Sequence, residues 1–116
     1  MKLPFVDEAE VPQAKIVDYL LDPNHRSGKS KARFFRGHGY AIERWEELAE
    51  VLRRHARENE VAKQEATPLG VRHVVEGPLA LKDGVIAGIR SVGFIESGER
   101  VPRLATAYPL RRPKRI

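Results

Sequence analysis

The sequence predicts a small, basic α+β domain in which N-terminal helices pack on a C-terminal antiparallel β-meander of three or more strands. Apolar residues recur at helical spacing before residue 58, whereas β-branched residues and short turn signals dominate after residue 70. The 116 residues fit one domain. We expect a helical half at residues 12–58, a β half at residues 70–110, and a sheet whose second face is partly open.

Two short helices are predicted first. Pro12 suits the first turn of a helix, because the N–H that it lacks would have no partner there. The apolar pattern ends at residues 22–24, where the residue before Pro23 avoids the helical region. After a loop, residues 29–36 form a second short helix that ends at a pair of glycines.

Residues 41–58 give the clearest helical pattern. Glutamates lead and arginines trail on the polar side, as the helix dipole favours. We expect Trp45 to lie in the core rather than to stack on a base, and His55 to lie on the surface. The apolar stripe comprises Ile42, Trp45, Leu48, Ala49, Leu52 and Ala56.

The second half reads as strands separated by turns. Residues 59–69 are predicted to be a polar linker, and the dipeptide at 77–78 (Gly-Pro) a bulge or a change of strand course. A hairpin signal, Lys-Asp-Gly, stands at residues 82–84. The predicted strands are residues 71–81, 85–95 and 101–110, followed by a loose basic tail at 111–116.

Composition excludes several classes of protein. The chain has no cysteine, so it can hold neither a disulfide nor a thiolate metal site. Charged residues make up 32%, and no apolar run approaches the roughly 20 residues of a membrane span. The N-terminus lacks the apolar core of a signal peptide. We therefore expect a cytoplasmic protein without a membrane or cofactor, and the scarcity of thermolabile residues suits a hot habitat.

The net charge of +5 is unevenly distributed. Residues 23–42 and 100–116 contain no acid, and they hold five and six of the 21 lysines and arginines. Such separation can form a basic patch that attracts a polyanion, although two solvated stretches without a partner fit equally well. The candidate nucleic-acid-binding residues are Arg26, Arg33, Arg36, Arg111 and Arg112.

The four histidines do not indicate a metal site. None pairs with another at ligand spacing, and no carboxylate cluster stands near them. His38 lies between glycines and shapes a turn. The run Gly28-Lys29-Ser30 resembles the end of a phosphate-binding loop, but the earlier glycine is missing and the run follows a helix, so nucleotide binding of that kind is excluded.

His25 is the histidine with a chemical interpretation. It stands in a loop just before Lys29 and Lys31, which open a predicted helix. A helix N-terminus with two ammonium groups can hold phosphate, and those charges keep a nearby imidazole neutral, as a general base for a ribose 2′-hydroxyl must be. The alternative is a histidine that caps or packs the loop.

The last predicted strand supplies further candidates. Thr106 and Tyr108 are two apart and point to one face, whereas Arg103 has the opposite parity unless a bulge after Pro102 resets the register. Metal-independent RNA cleavage needs a base, an acid and a cation for the phosphorane charge. His25, then Tyr108 or a lysine, then Arg103 could fill these roles, although threonine and tyrosine are also ordinary strand residues.

A larger set of residues resembles an uncharacterised bacterial domain family whose members occur as stand-alone proteins and as C-terminal tips of polymorphic toxins. The matching positions, over roughly residues 3–110, are Leu20, Asp22, Pro23, Asn24, His25, Gly28, Lys29, Lys31, Ala32, Phe35, Gly70, Pro102, Arg103, Leu104, Thr106 and Tyr108. The toxin setting and the element order are similar to the barnase, EndoU, colicin and RelE-type ribonucleases. Members often carry a tryptophan in the second strand, where this chain has Gly93-Phe94.

What this resemblance implies is a metal-independent, toxin-like endoribonuclease. The catalytic residues that it implies are His25, Lys29, Lys31, Arg103, Thr106 and Tyr108. The alternative is a noncatalytic module that binds nucleic acid, or a cognate partner protein of the antitoxin or immunity kind. A third interpretation is self-association through an edge strand.

Overall fold

The computed structural model describes residues 1–110. The fold class is confirmed, because within these residues helices precede an antiparallel sheet. The predicted basic tail at 111–116, with Arg111 and Arg112, lies outside the described residues. No helix in residues 1–110 is long and apolar enough to cross a membrane.

The helical half has three main helices. The first begins after Pro12 and passes from α-helical into π-helical geometry, and a 3₁₀ turn leads into the third. The predicted helices are confirmed, with boundaries shifted by a few residues. In chain order the elements are a 3₁₀ turn at Val6–Glu8, α1 at Gln13–Lys15 and Ile16–Leu20, α2 at Lys29–Gly37, a 3₁₀ turn at Ile42–Arg44, and α3 at Trp45–Glu58.

The sheet has four strands, which are antiparallel neighbours in chain order. They are β1 at Val61–Thr67, β2 at Gly70–Ala80, β3 at Ile86–Glu96 and β4 at Arg103–Pro109. The prediction of a polar linker at 59–69 was wrong, because most of it forms β1, which pairs with β2 from Thr67↔Gly70 to Val61↔Val75. An edge strand with few buried side chains carries little of the alternation by which strands are found in a sequence.

The predicted bulge at Gly77 and Pro78 was also wrong. The β2–β3 register runs without a shift through both residues. A glycine is needed at 77 for a different reason: a Cβ there would collide with the side chain of Asn59 at the end of α3. The Asn59 amide donates to the carbonyl of Pro78, over 3.2 Å, so the helix end is tied to the strand.

Helix α3 packs across β2 and β3 and contributes Leu48, Ala49, Val51 and Leu52 to the core. His55, which was predicted at the surface, is fully buried, so that prediction was wrong. Its Nε2 donates to the carbonyl of Ile89 at 2.9 Å, and its Nδ1 lies 2.9 Å from the Ser91 hydroxyl. Leu48, Leu52 and His55 stand at i, i+4 and i+7, so helical periodicity contained this signal. Burial lowers the pKa of His55, which keeps the ring neutral.

Trp45 is half-buried and packs against the core, as predicted.

The turn between β2 and β3 is held against the helical half by two side-chain contacts. The buried Tyr40 hydroxyl accepts the backbone N–H of Lys82 over 3.0 Å, and burial raises the pKa of Tyr40. His38 does more than shape a turn, because its Nδ1 lies 2.8 Å from Asp83 Oδ2, and this contact lowers the pKa of Asp83.

The second face of the sheet is partly open, as expected. It carries charged pairs between neighbouring strands: Arg72 bonds Glu65 over 2.7 Å, and Arg90 bonds Glu76 over 2.6 Å. These ion pairs line the half-exposed surface that continues to β4.

Candidate nucleic-acid interface

A bulge in β4 brings the candidate residues of that strand onto one face. Leu104 pairs with Gly93 and Thr106 pairs with Val92, so Ala105 is an extra residue between them. The reset of register that Arg103 needed therefore occurs, two residues later than the point considered from the sequence. Arg103, Thr106 and Tyr108 lie opposite Phe94, Val92 and Arg90, which alternate along β3 and share a face.

Tyr19, on the π-helical part of α1, joins the two halves of the site. Its hydroxyl lies 2.9 Å from Thr106 Oγ1. Its ring meets the His25 ring edge to face, with centroids 4.9 Å apart. Gly28 is required next to this ring, because a Cβ there would come within 2.7 Å of Tyr19 Cδ1. The tyrosine therefore places the loop before α2 against the last strand.

Lys31 lies between two aromatic rings. Its Nζ is 5.4 Å from the ring centroid of Tyr19 and 5.6 Å from that of Tyr108. Lys15 approaches the Tyr19 ring at 5.4 Å, and the Arg90 guanidinium approaches the Tyr108 ring at 5.6 Å. Cations over aromatic faces are held in place without losing their charge.

We call this group the Tyr19 cluster; it comprises Tyr19, His25, Lys31, Thr106 and Tyr108. Arg90 borders the cluster and donates from Nη1 to the Tyr108 hydroxyl over 3.2 Å. That hydrogen bond, together with the one to Glu76, raises the pKa of Arg90 further and keeps it cationic. The cluster thus presents fixed positive charge, hydroxyl groups and aromatic surface at one place, which are the groups that bind a nucleic-acid strand.

The hydrogen bonds of His25 determine which nitrogen can act. Nδ1 accepts the backbone N–H groups of Ser27, over 3.1 Å, and Gly28, over 3.0 Å. The proton of the neutral ring therefore lies on Nε2, which is a donor. His25 therefore caps the loop through Nδ1, which is the alternative interpretation of this residue from the sequence. Its Nε2 has no hydrogen bond within residues 1–110 and can contact a ligand.

Two of the six predicted catalytic residues are outside the cluster. Lys29 is exposed, and no hydrogen bond or cation–π contact described in residues 1–110 joins it to the cluster. Arg103 donates from Nε and Nη2 to Glu10 Oε1, over 3.2 and 3.1 Å. The structure therefore brings His25, Lys31, Thr106 and Tyr108 together and leaves the other two apart.

The family described as a domain of unknown function (DUF6883) matches residues 2–111. The chain belongs to this family. None of the curated proteins compared with it matches.

Among solved structures, the chain is similar to one from a contact-dependent growth inhibition toxin–immunity protein complex of Klebsiella pneumoniae 342. The TM-score is 0.69 at 19% sequence identity, over 92% of this chain and 97% of the other. At this identity the likeness concerns the fold.

This DUF6883 domain exposes cations on α2 and in the loop before it. Arg26 and Arg33 are exposed, and Arg36 donates to the carbonyl of Leu21 over 3.2 Å while remaining exposed. None of the ion pairs found in residues 1–110 includes these three arginines or the two lysines of α2. Their charges are therefore not neutralised by a carboxylate within the described part of the chain. Residues 1–110 contain no group of three His, Asp or Glu side chains that could hold a metal ion.

Sequence reasoning missed Tyr19, Lys15 and Arg90. Tyr19 lies within the apolar pattern of the first predicted helix, and Lys15 and Arg90 belong to no motif. One signal was present: Lys15 and Tyr19 stand at i and i+4, so they share a helix face. Nothing local to the sequence could indicate that this face meets Thr106, 87 residues away.

Proposed function

We propose that this chain is a toxin-like endoribonuclease that works without a metal and uses the 2′-hydroxyl of RNA as the internal nucleophile. The observation that carries the proposal is the meeting of His25 and Lys31 with Thr106 and Tyr108 around Tyr19. The likeness in fold to a chain of a toxin–immunity protein complex supports the toxin-like setting.

The roles follow from the contacts. Lys31, held between two rings, is suited to stabilise the negative charge that develops on the phosphorane. The Nε2–H of His25 is suited to donate a hydrogen bond to a phosphate oxygen, because Nδ1 is occupied by two backbone N–H groups. This favours a hydrogen-bonding role for His25 over the base role expected from the sequence, and it leaves the Tyr108 hydroxyl, which accepts from Arg90, to protonate the leaving 5′ oxygen. The hydroxyls of Thr106 and Tyr108 can orient phosphate oxygens.

A second candidate is a noncatalytic module that binds nucleic acid or a cognate partner protein. One observation favours it: in residues 1–110, His25 uses its Nδ1 lone pair in the cap, and the remaining cluster groups are a cation and hydroxyls. A base for the 2′-hydroxyl must then come from a rearranged loop or from the RNA itself. The unpaired cations of α2 would serve binding in either case.

Two lysines of the same helix provide a matched test. RNA is incubated with the protein in EDTA, beside DNA of the same sequence, which lacks the 2′-hydroxyl. We expect wild type to cleave RNA alone. Lys31→Ala should lose about a hundredfold or more in cleavage rate, because it removes charge stabilisation at the reaction centre. Lys29→Ala should cleave at nearly the wild-type rate once RNA is saturating. His25→Ala should behave like Lys31→Ala.

The outcomes separate the candidates. Cleavage that disappears in EDTA, or that is equal for Lys31→Ala and wild type, would contradict the proposed mechanism. Absence of cleavage together with salt-dependent retention of RNA would favour the binding module. Capture of one partner protein at fixed stoichiometry, with little salt dependence, would favour the partner-protein form of that candidate.

A further inference from the structure

We propose that two copies of this chain associate through the outer edge of β1, antiparallel, with Gln64 of one copy opposite Gln64 of the other. Such a pair joins two four-stranded sheets into one continuous sheet. The inference goes beyond the proposed function and does not rest on it, because the strand residues of the Tyr19 cluster lie on β4, at the other edge of the sheet.

The two edges of the sheet differ in what covers them. At the β4 edge, Glu10 forms a parallel bridge with Arg103, and its carbonyl accepts the Leu104 N–H over 2.9 Å. Beyond its ladder with β2, β1 has one backbone hydrogen bond within residues 1–110, from the Val61 N–H to the Met1 carbonyl. Alternate backbone groups of β1 therefore point outward without a partner in the described part of the chain, and such an edge can pair with another strand.

The charges of β1 are arranged symmetrically about its middle residue. Lys63 and Glu65 are two apart and share one face of the sheet, with Nζ 3.6 Å from Oε2. Directly opposite residues of an antiparallel pair point to the same face, so a two-fold axis between two copies must pass through a residue that stands opposite itself.

The position of the axis decides which charges meet. With the axis at Gln64, Lys63 of each copy stands opposite Glu65 of the other. An axis at Lys63 or at Glu65 would instead place that residue opposite its own like charge, which destabilises a strand pair. The Gln64 amide has both donors and an acceptor, so it can pair with its own copy. The charges therefore select one register.

A lysine on an edge strand usually discourages pairing with other strands. Here the Glu65 carboxylate already accepts from Arg72 over 2.7 Å, and it would meet Lys63 of the other copy on its outer side. Cation, carboxylate and cation would then alternate across the interface. This neutralises Lys63 against a second copy of the chain but not against a strand without an acid at that position, which is why the occupant is a second copy.

The two ends of β1 carry exposed apolar side chains. Met1 lies beside the start of the strand, where its carbonyl accepts the Val61 N–H over 2.7 Å, and Leu69 lies two residues after its end. Their side chains are 60% and 75% exposed. In the antiparallel pair the start of one β1 lies beside the end of the other, so Met1 approaches Leu69 of the second copy at both ends. Apolar burial would then flank the charged centre.

The test is sedimentation equilibrium of the full chain from about 1 to about 100 µM, where a reversible dimer should show its dependence on concentration. Lys63→Glu and Glu65→Lys should each weaken the dimer by about tenfold or more, because each places two pairs of like charges opposite one another. Mixed in equal amounts, the two variants should form a heterodimer, since every lysine then faces a glutamate. Glu46→Lys, at an exposed position of α3, changes the charge as Glu65→Lys does and should dimerise like wild type.

The mixture keeps the test independent of folding defects, because two misfolded variants would not restore a specific dimer. A wild-type chain that stays monomeric at about 100 µM would overturn the inference. So would a dimer that both single variants retain, or variants that are folded by circular dichroism and stay apart when mixed. A chain that dimerises in this way but neither cleaves nor retains RNA would remove the proposed function and leave the β1 interface in place.

Discussion

Helices α2 and α3 are both short, amphipathic and rich in cations, yet they use their charges in opposite ways. All three arginines of α3 pair with glutamates of the same helix: Arg53 and Arg57 with Glu50, and Arg54 with Glu58. In contrast, none of the ion pairs found in residues 1–110 includes a cation of α2.

The two helices also differ in what they bring to the centre of the molecule. Helix α3 buries His55 with every ring nitrogen hydrogen-bonded inside the sheet. The first turn of α2 holds Lys31 between aromatic rings at the surface. The difference teaches that the cations of α3 are neutralised within the helix whereas those of α2 are not, and charges without partners contribute little to stability but can attract an anion.

The largest expected effect is on α3. His55→Ala should lower the free energy of unfolding by about 3 kcal/mol, because it leaves a cavity and removes the partners of Ser91 and of the Ile89 carbonyl. Urea denaturation measures this. Arg57→Ala on the same helix is the control and should change stability by less than about 0.5 kcal/mol. A loss as small as that of the control would refute the structural role of His55.

The free energy of unfolding of the protein should also depend on pH. Burial lowers the pKa of His55, and of His73 in β2, in the folded state. A histidine whose folded pKa is depressed contributes stability that is full above its unfolded value of 6.5 and is lost as the pH falls toward the folded pKa. Unfolding in urea should therefore become easier from pH 7.5 to 5, with a slope of at most about 1.4 kcal/mol per pH unit for each histidine.

In the matched experiment, His55→Gln should show a shallower pH dependence than wild type, and the remaining slope should come from His73. An identical slope in the variant would mean that His55 is not the titrating group.

In the Tyr19 cluster, the contact between Tyr19 and Thr106 should stabilise the fold modestly. Tyr19→Phe and Thr106→Val should each cost about 1 kcal/mol, because each removes one partly buried hydrogen bond. The double variant should cost less than the sum of the two, since both changes remove the same bond. Strict additivity in this cycle would show that the two hydroxyls do not interact in solution.

The smallest effect on stability is expected for the exposed cations of α2. Arg33→Gln should change the free energy of unfolding by less than about 0.5 kcal/mol, as should Arg57→Gln on α3. Their effects on RNA binding should differ. Arg33→Gln should make the slope of log affinity against log salt concentration shallower by about 1, and Arg57→Gln should leave this slope unchanged. Equal salt slopes for the two variants would erase the distinction between the helices.

Local sequence determined much of this protein. Helical periodicity and the proline and glycine stops located the three helices, and β-branched runs with short turns located β2, β3 and β4. The segregation of charge into residues 23–42 was also visible, because it depends only on composition along the chain. Four of the residues implied by the family resemblance, His25, Lys31, Thr106 and Tyr108, lie together.

Only the tertiary structure decided the rest, since each missing feature depends on a partner distant in sequence. Strand β1 is polar and exists through its ladder with β2, and His55 is buried because the sheet supplies three polar partners for it. One extra residue, Ala105, puts Arg103 on the face of Thr106. Side-chain periodicity predicts which face a residue occupies, whereas a bulge or a contact across 87 residues is fixed only when the elements pack.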